Sequence, residues 1–378
     1  MAWEKVKLGD ICESISDGDH LPPPKSVNGI PFVTISNVNS SNQFDFKNTM
    51  FVPQEYYEKL DEKRKPRIND ILYSVVGSFG IPVFIKENRR FVFQRHIAIL
   101  RPNESRIHPR YLYYKMLSKD FYMKADAVAI GAAQRTISLT SLRNMEISIP
   151  CKDSQKRIAD ILSAYDDLIE NNQKQIKLLE EAAQRLYKQW FIDLRYPGHE
   201  TSPIVDGLPE GWRKECLGNL VPILTGKKDA NYGTADGKYP FFTCSQEPIK
   251  SPGYSFDTSA VILAGNGDFN VKLYRGKFEA YQRTYVLVPK DKNYLYLVYN
   301  SVQGKMRELF QGASGSTIKF LTKGMIESIL IVIPSNLILK RFNDLQDSIQ
   351  KKIEVLKTSI ICSVESRDRL LPKLMNEE

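Results

Sequence analysis

Two stretches of the chain place apolar residues at helical spacing over an unusual length. Between residues 153 and 190 there is no Gly or Pro, and apolar positions recur in alternating steps of four and three, with one polar break at Asn172. This pattern is typical of the seam of a coiled coil. The packing positions predicted on this first helix are Ile158, Leu162, Tyr165, Ile169, Ile176, Leu179 and Leu186.

A second stretch of the same character lies near the end of the sequence and contains one slip in its spacing. Its predicted packing positions are Phe342, Leu345, Ile349 and Leu356. Two such helices can bury their seams against each other. Because a whole domain connects them, we expect them to run antiparallel and to hold two globular regions apart. The alternative, two ordinary core helices, is disfavoured by a length of roughly 57 Å at 1.5 Å per residue.

The segments that precede the two helices have a different pattern. They are rich in Val, Ile, Phe and Tyr and are interrupted by Gly, Pro, Asn and Asp, which predicts short strands. Strands are expected at 30–35, 70–76, 83–86 and 97–100, and again at 260–264 and 285–288, with a helix at 109–124. Each segment is therefore predicted to be mixed α/β.

Several motifs occur twice in the same order. Residues 3–9 match residues 212–218 at an offset of 209, Gln94-Arg95 match Gln282-Arg283 at 188, residues 131–137 match 312–318 at 181, and Ile149-Pro150 match Ile333-Pro334 at 184. A tandem duplication of a unit of roughly 190 residues, with insertions, explains the drifting offset. The predicted segments are a globular domain at 1–152, a long helix at 153–195, a second globular domain at 196–335 and a second long helix at 336–378.

The charge balance favours a polyanionic partner. The chain carries 53 Lys and Arg against 44 Asp and Glu, a formal net charge of +9, although an inert basic surface would have the same composition. The five cysteines form no CxxC pair, no apolar run approaches the ~20 residues of a membrane span, and the first residues carry no signal-peptide pattern. We therefore expect a soluble protein of the cytoplasm.

The motifs of common catalytic sites are absent from the sequence. It contains no phosphate-binding Gly-x4-Gly-Lys loop, no Gly-x-Gly-x-x-Gly fingerprint, no Asn-Pro-Pro-Tyr methyltransferase motif and no paired histidines. Asp45-Phe46-Lys47 could imitate part of a nuclease site, but it lacks an acidic partner and is better explained as a solvated strand edge. We predict no catalytic residues, no metal site and no cofactor in this chain. The sequence indicates a binding protein.

The candidate binding residues lie in polar loops, most of them duplicated. Glycine-led loops can offer backbone amides to phosphates, while Gln and Arg can hydrogen-bond base edges. The predicted DNA-binding residues are Ser36, Asn37, Gln94, Arg95, Gln134, Arg135, Thr136, Lys227, Lys228, Gln282, Arg283, Ser316 and Thr317. Two alternatives stay open at this point: the loops could be tight structural turns, and the duplicated arginine could pair with a buried carboxylate.

Taken together, these motifs resemble the specificity subunit of type I restriction-modification enzymes. The residues that carry the resemblance are Gly211-Trp212 with Leu217-Gly218, Asp17-Gly18 and His20 with Gly29-Ile30-Pro31-Phe32, the paired Gly-Ala-x-x-x-Thr-Ile loops, the Ile-Pro exits into the helices, and Gln-Lys-x-Ile at 173–176 and 350–353. One pair departs from the repeat, since Gln134-Arg135 becomes Gly315-Ser316. The two loops are therefore expected to read different bases, as the family's two recognition domains normally do.

The resemblance implies a mixed α/β fold with two tandem target-recognition domains, separated by two long antiparallel coiled-coil helices and related by a pseudo-two-fold axis. It implies a non-catalytic subunit that reads a bipartite site in double-stranded DNA, one domain per half-site, with the helices fixing the gap. Two methyltransferase subunits, which use S-adenosylmethionine, would dock on it and modify adenine N6, and a motor-nuclease subunit would join them. The complex would be nucleoid-associated in a bacterial or archaeal cytoplasm, with no membrane partner.

Three other functions remain open from the sequence. A stand-alone DNA-binding scaffold or repressor would need no methyltransferase. A self-sufficient nuclease would cut DNA in the presence of Mg²⁺, and a coiled-coil adaptor that binds only protein would not retain DNA at low salt.

Overall fold

The computed structural model describes residues 3–18, 23–39, 41–131, 134–315 and 319–376. The chain divides into two compact units: unit 1 is Met1–Asn172 with Ser359–Glu378, and unit 2 is Gln173–Thr358. The boundary falls inside both long helices, so each unit contains part of both. The predicted mixed α/β fold with two domains is confirmed, whereas the limits of the four predicted segments stay a prediction.

Unit 1 contains nine strands and five shorter helices among its described residues, and the first long helix begins in it. The strands are β1 (Glu4–Lys7), β2 (Cys12–Asp17), β3 (Ile30–Val33), β4 (Met50–Val52), β5 (Ile71–Ser74), β6 (Pro82–Phe84), β7 (Val92–Phe93), β8 (Ile97–Pro102) and β9 (Glu146–Ile149). The helices are α1 (Leu8–Ile11), α2 (Gln54–Lys59), α3 (Pro109–Leu117), α4 (Lys119–Val128), α5 (Leu139–Asn144) and the long α6 (Lys152–Tyr187).

The strands of unit 1 form sheets in the orders β2-β8-β5-β6, β4-β3-β7 and β1-β9. The central strands β5 and β8 are buried on both faces. Ile71 and Tyr73 belong to one apolar cluster, and Leu72 belongs to another. Because successive side chains of a strand point to opposite faces, these clusters lie on the two sides of one sheet.

Unit 2 repeats this plan, with two strands that are longer than their counterparts in unit 1. Its strands are β10 (Ile204–Val205), β11 (Leu208–Pro209), β12 (Arg213–Cys216), β13 (Ile223–Thr225), β14 (Tyr239–Phe242), β15 (Ile249–Ser251), β16 (Phe256–Ala264), β17 (Val271–Ala280), β18 (Thr284–Leu287) and β19 (Leu330–Ile333). Its helices are α7 (Leu217–Leu220), α8 (Leu295–Gly304), α9 (Met306–Gly312), α10 (Lys323–Glu327) and the long α11 (Asn336–Met375).

The sheet orders make the duplication visible. The large sheet of unit 2 has the order β13-β18-β16-β17-β14-β15, and its first four strands correspond in turn to β2-β8-β5-β6 of unit 1. The pair β12-β19 corresponds to β1-β9. Strand β17 pairs antiparallel with β16 and parallel with β14. Strand β17 therefore corresponds to both β6 and β7 of unit 1. It joins into one sheet the strands whose counterparts form two separate sheets in unit 1.

In unit 1, the segments of α6 and α11 run antiparallel. Asn172 Nδ2 donates to Ser359 Oγ at 3.0 Å, and Arg367 forms an ion pair with Asp166 at 2.8 Å, so the residue number falls on one helix as it rises on the other. The C-terminal end of α11 is also tied to the domain, because buried Lys115 donates from Nζ to the main-chain carbonyl of Met375 at 3.2 Å.

In unit 2, the other parts of the two helices also pair antiparallel. The Phe342 ring lies 6.4 Å from that of Tyr187 and 6.0 Å from that of Trp190. Polar contacts join α11 to α8 and to the sheet. Tyr296 Oη of α8 donates to Asp347 Oδ1 at 2.8 Å, and Arg275 Nη1 of β17 lies 3.2 Å from the same oxygen.

The predicted packing positions differ in how deeply they are buried. Leu162, Ile169, Phe342 and Leu356 are buried, and Ile158, Tyr165, Ile176, Leu179, Leu186 and Ile349 are half-buried.

The prediction that Leu345 packs in the seam is wrong. Its side chain is 46% exposed, whereas Gln346 is 3% exposed and donates from Nε2 to the main-chain carbonyl of Ala183 at 3.2 Å. With Gln346 in the seam, positions 342, 346, 349, 353 and 356 step by four, three, four and three. The slip in the predicted pattern arose because a polar residue with a hydrogen-bond partner holds a buried position.

The predicted helix at 109–124 is two helices. It breaks at Ser118, whose Oγ accepts a hydrogen bond from the main-chain N–H of Phe121 at 3.3 Å and so caps α4. Among the described residues, no helix combines the length and apolar character that crossing a membrane requires.

Candidate nucleic-acid interface

In unit 1, three loops meet at one backbone junction. The N–H of Val75 donates to the carbonyl of His96, and the N–H of Ile137 donates to the carbonyl of Val75, both at 2.9 Å. The loops carry several predicted residues into one cleft of about 400 Å³, lined among others by Asp17, Arg95, His96, Gln134 and Thr136. The sequence placed these residues in separate loops, and the fold brings them together.

The same junction exists in unit 2. The N–H of Gly265 donates to the carbonyl of Arg283 at 2.9 Å, and the N–H of Leu321 donates to the carbonyl of Gly265 at 2.8 Å. A further loop is attached by the N–H of Gln282, which donates to the carbonyl of Lys228 at 2.9 Å. Lys227, Lys228, Gln282 and Arg283 therefore lie on adjoining loops.

The backbone contacts correct the predicted match between Gln94-Arg95 and Gln282-Arg283. His96 and Arg283 make equivalent contacts, so the offset is 283 − 96 = 187 rather than 188. A second contact has the same offset: Gly18 donates to the carbonyl of Ile97, and Gly226 donates to that of Thr284. The two Gln-Arg pairs are therefore one residue out of register, because strand pairing and not side-chain identity fixes the position of each turn.

The match between residues 131–137 and 312–318 is also wrong. Ile130 pairs with Thr136 as Ser314 pairs with Phe320, an offset of 320 − 136 = 184. Gly131 follows Ile130 and Gly315 follows Ser314. Both glycines have a left-handed backbone, with φ of 99° and 101°. Both positions favour glycine for that reason.

This correction changes the role of Arg135, whose counterpart is Lys319 rather than Ser316. Arg135 donates to the carbonyl of Asp126 near the end of α4, and Lys319 donates to the carbonyl of Phe310 in α9 at 3.4 Å. Cations near helix C-termini are stabilised there by the free carbonyls. Arg135 therefore has a structural role in its loop. Ser316 and Thr317 lie outside the described residues.

Arg95 and Arg283 are the exposed cations of the two junctions. Both side chains are exposed, and no carboxylate lies within ion-pair distance of either one among the residues that the structure describes. Among the described residues, neither arginine therefore pairs with a buried carboxylate. Gln94 is half-buried and continues the strand ladder, while Gln282 is exposed and donates to Asp229 Oδ1 at 2.7 Å.

The predicted pair Ser36 and Asn37 forms part of a local cap. Asn37 Oδ1 accepts from the main-chain N–H of Thr34 at 2.9 Å, and Ser36 Oγ lies 2.7 Å from Thr34 Oγ1. In unit 2, Thr243 Oγ1 donates to Ser245 Oγ at 3.2 Å at the same place after a strand. Asn37 thus shapes the turn, while the hydroxyl of Ser36 remains exposed.

Two glycines let neighbouring backbones approach closely. A Cβ atom at Gly18 would lie 2.3 Å from the carbonyl oxygen of Phe93, and one at Gly226 would lie 1.9 Å from that of Ala280. Gly226 places Lys227, which is exposed, and Lys228, whose Nζ lies 4.4 Å from the centre of the Tyr232 ring. Gly18 and Gly226 each follow the last residue of a strand, and this repeat was not recognised from the sequence.

A third duplicated loop was also missed. Gly77-Ser78-Phe79 and Gly267-Asp268-Phe269 match at an offset of 269 − 79 = 190 and begin with glycines at φ of 73° and 65°. In unit 2, Asp268 Oδ2 accepts from Gln246 Nε2 at 2.8 Å. The Gly-x-Phe spacing was the signal that could have revealed this loop.

The ionisation of the junctions is set by burial and neighbouring charge. Burial, together with the positive charge of Arg95, lowers the pKa of His96, so its ring is neutral near pH 7. Burial also lowers the pKa of Lys272, which donates from Nζ to the carbonyl of Ser245 at 2.9 Å. Among the described residues, no group of three or more His, Cys, Asp and Glu could hold a metal ion. The arrangement suits binding of a polyanion through exposed arginine and lysine side chains.

Known proteins match this chain at three levels, namely a family model, individual relatives and a solved structure. A family model described as "Type I restriction modification DNA specificity domain" matches residues 2–181 and 209–361. The chain is 45% identical over 130 residues to the type I restriction enzyme EcoDI specificity subunit of Escherichia coli, a match covering 34% of this chain and 29% of that protein. It is 28% identical over 296 residues to the MjaIX specificity subunit of Methanocaldococcus jannaschii, covering 70% and 68% of the two chains.

The fold also resembles that of a solved structure, which matches along the whole chain. It is the crystal structure of the S subunit of a type I restriction-modification system from M. genitalium. Its TM-score is 0.62 at 17% identity, and the match covers 100% of this chain and 97% of that one.

Proposed function

The chain belongs to the family of type I restriction modification DNA specificity proteins, and we propose that it is the sequence-reading subunit of such a system. The observation that carries the proposal is the recurrence of one loop junction in both units, each with an exposed arginine, Arg95 or Arg283, that has no carboxylate partner among the described residues. Arginine reads guanine by a bidentate hydrogen bond in the major groove and also binds phosphates.

Each unit would read one half of a bipartite DNA site. The equivalent positions carry different side chains, since Arg95 and His96 of unit 1 correspond to Gln282 and Arg283 of unit 2. Gln hydrogen-bonds adenine in its most common pairing, whereas Arg prefers guanine. The half-sites are therefore expected to differ in sequence.

Chemistry would be supplied by partners. In this proposal the chain is non-catalytic and scaffolds two methyltransferase subunits that use S-adenosylmethionine, with a motor-nuclease subunit completing the complex. The relatives named above are specificity subunits, which supports this division of labour.

The test is genome-wide mapping of N6-methyladenine in cells that express the methyltransferase partners with and without this chain. We expect one bipartite motif that appears only when the chain is present. An unchanged methylation map would contradict the proposal. In that case, retention of DNA by the purified chain would favour a stand-alone DNA-binding protein.

The proposal also predicts a steep dependence of DNA binding on salt. Each phosphate neutralised by Lys or Arg releases counterions, so the logarithm of the affinity falls linearly with the logarithm of the salt concentration. A chain that contacts only protein partners would show no retention of duplex DNA even at low salt.

A further inference from the structure

Beside each loop junction, two aromatic rings form a small surface that the proposed reading of bases does not use. In unit 2, the ring of Phe269 packs against that of Phe310, with 5.6 Å between their centres. In unit 1, Phe79 stacks on Tyr122 at 5.6 Å with an interplanar angle of 3°. We call each pair an aromatic ledge.

The two ledges are built alike. Phe79 and Phe269 come from the equivalent Gly-x-Phe loops and are half-buried, whereas Tyr122 comes from α4 and Phe310 from α9. The outer rings are exposed, Tyr122 by 43% and Phe310 by 49%. A large aromatic side chain is thus exposed at the same place in both copies.

Each ledge adjoins the polar loops of its own unit. In unit 2, Asn266 pairs with Phe320, which places the loop that carries Lys319 next to the loop that carries Phe269. Lys319 Nζ lies 4.4 Å from the centre of the Phe310 ring, and no carboxylate lies within ion-pair distance of it among the described residues. In unit 1, the guanidinium of Arg135 lies 5.7 Å from the Phe79 ring and forms an ion pair with Asp126 Oδ1 at 3.1 Å, so its charge is already balanced.

We propose that the ledges contact duplex DNA, with their rings against bases or deoxyribose and, in unit 2, the ammonium of Lys319 near a phosphate. The inference rests on the proposed function and adds a contact surface to it. An apolar ring with a cation at its face complements a nucleotide, which offers an apolar ring or sugar and an anionic phosphate within one residue. Aromatic side chains in such positions stack on bases or insert between base steps.

The test places a reporter on the ledge of unit 2. In the full chain, F310W adds a tryptophan to the three already present, and the wild-type chain provides their background. V205W is the matched control, because Val205 is 55% exposed on the β10–β11 hairpin, which carries none of the junction loops. The probe is a synthetic duplex containing the mapped motif, and a label on the duplex reports binding independently through anisotropy.

We expect acrylamide quenching of the F310W reporter to fall at least two-fold when the duplex is bound, with no change for V205W. If the duplex binds and the F310W reporter stays equally accessible, the ledge proposal is wrong and the proposed function is unaffected. If the duplex does not bind the wild-type chain at low salt, both are wrong. Shielding of the reporter by methyltransferase subunits without DNA would assign the ledge to a protein partner and overturn the proposal.

A second variant tests the ledge without a reporter. Phe310→Ala should weaken duplex binding about five-fold or more while the melting temperature changes little, because half of the ring is already exposed. Equal affinity of Phe310→Ala and wild-type chains, both folded by circular dichroism, would contradict the proposal.

Discussion

Arg283 in unit 2 occupies the backbone position that His96 holds in unit 1. Each residue accepts, through its main-chain carbonyl, a hydrogen bond of 2.9 Å from the first loop of its junction, donated by Gly265 and Val75 respectively. The two units therefore share a frame but present different side chains from it. In the proposed reading of DNA, an imidazole and a guanidinium at one position would make different contacts.

Arg283→Ala is expected to weaken specific DNA binding by roughly 1–3 kcal/mol if the guanidinium reads a base. Its melting temperature should match that of the wild type, because the side chain is exposed and has no ion-pair partner among the described residues. Arg275→Ala is the control in the same unit, since Arg275 is bound to Asp347 at 3.2 Å and should change stability rather than specificity. Duplex binding measured by anisotropy, together with thermal melting, separates the two. A lower melting temperature with unchanged affinity for Arg283→Ala would make it a structural residue.

The corrected seam of α11 predicts very different costs for two neighbouring truncations. Phe342→Ala removes a fully buried ring in contact with Tyr187 and Trp190 and should destabilise the protein by roughly 3–5 kcal/mol. Leu345→Ala removes a side chain that is 46% exposed and should cost less than about 1 kcal/mol. Urea denaturation followed by circular dichroism measures both. If Leu345→Ala destabilised the protein about as much as Phe342→Ala, Leu345 would have to pack in the seam.

Asp347 gives a prediction for the dependence of stability on pH. Hydrogen bonds from Lys351 and Tyr296, and then from Arg275, lower its pKa from 3.8 to about 2. A carboxyl whose folded pKa is depressed stabilises the fold above its unfolded pKa and loses that contribution as pH falls through the folded value. Asp347→Asn should therefore melt below the wild type at pH 7, and the difference should shrink between about pH 4 and pH 2. A difference that is the same at pH 7 and pH 3 would show that the charge of Asp347 contributes nothing.

The two units should be separable readers of DNA. Replacing residues 1–150 with the first unit of another family member is expected to change one half of the methylated motif and leave the other half intact, because each junction is assembled from loops of its own unit. Methylation sequencing of cells carrying the hybrid measures this. The reciprocal replacement of the second domain serves as control, and a change in both halves would contradict the two-reader hypothesis.

Much of the fold could be predicted from periodicity and repetition alone. The spacing of apolar residues gave both long helices, and the repeated motifs gave two domains, because these signals extend over many residues. The errors concern single positions at which burial depends on one specific contact. Gln346 could not be placed in the seam from its polarity, since its burial depends on a hydrogen bond to the carbonyl of Ala183, a residue distant in sequence.

The candidate site was predicted at the level of loops and less well at the level of residues. Gln94-Arg95 and Gln282-Arg283 are identical pairs, yet they stand one residue out of register, because the neighbouring strand fixes each turn. The sequence predicts that Arg135 contacts DNA, but the side chain donates to the main-chain carbonyl of Asp126 and forms an ion pair with the carboxylate of the same residue. Sequence patterns reveal which loops recur, whereas the direction of a side chain depends on contacts that only the folded chain defines.

Unit 1 combines residues 1–172 with residues 359–378, which has a consequence for synthesis of the protein on the ribosome. Asn172 meets Ser359, Asp166 meets Arg367, and Lys115 meets the carbonyl of Met375. Translation proceeds from the N-terminus, so all of Gln173–Thr358, which is the whole of unit 2, is synthesised before the residues that complete unit 1. The domain made first is therefore the last to be completed, and a premature stop codon after residue 358 would damage unit 1 while leaving the sequence of unit 2 whole.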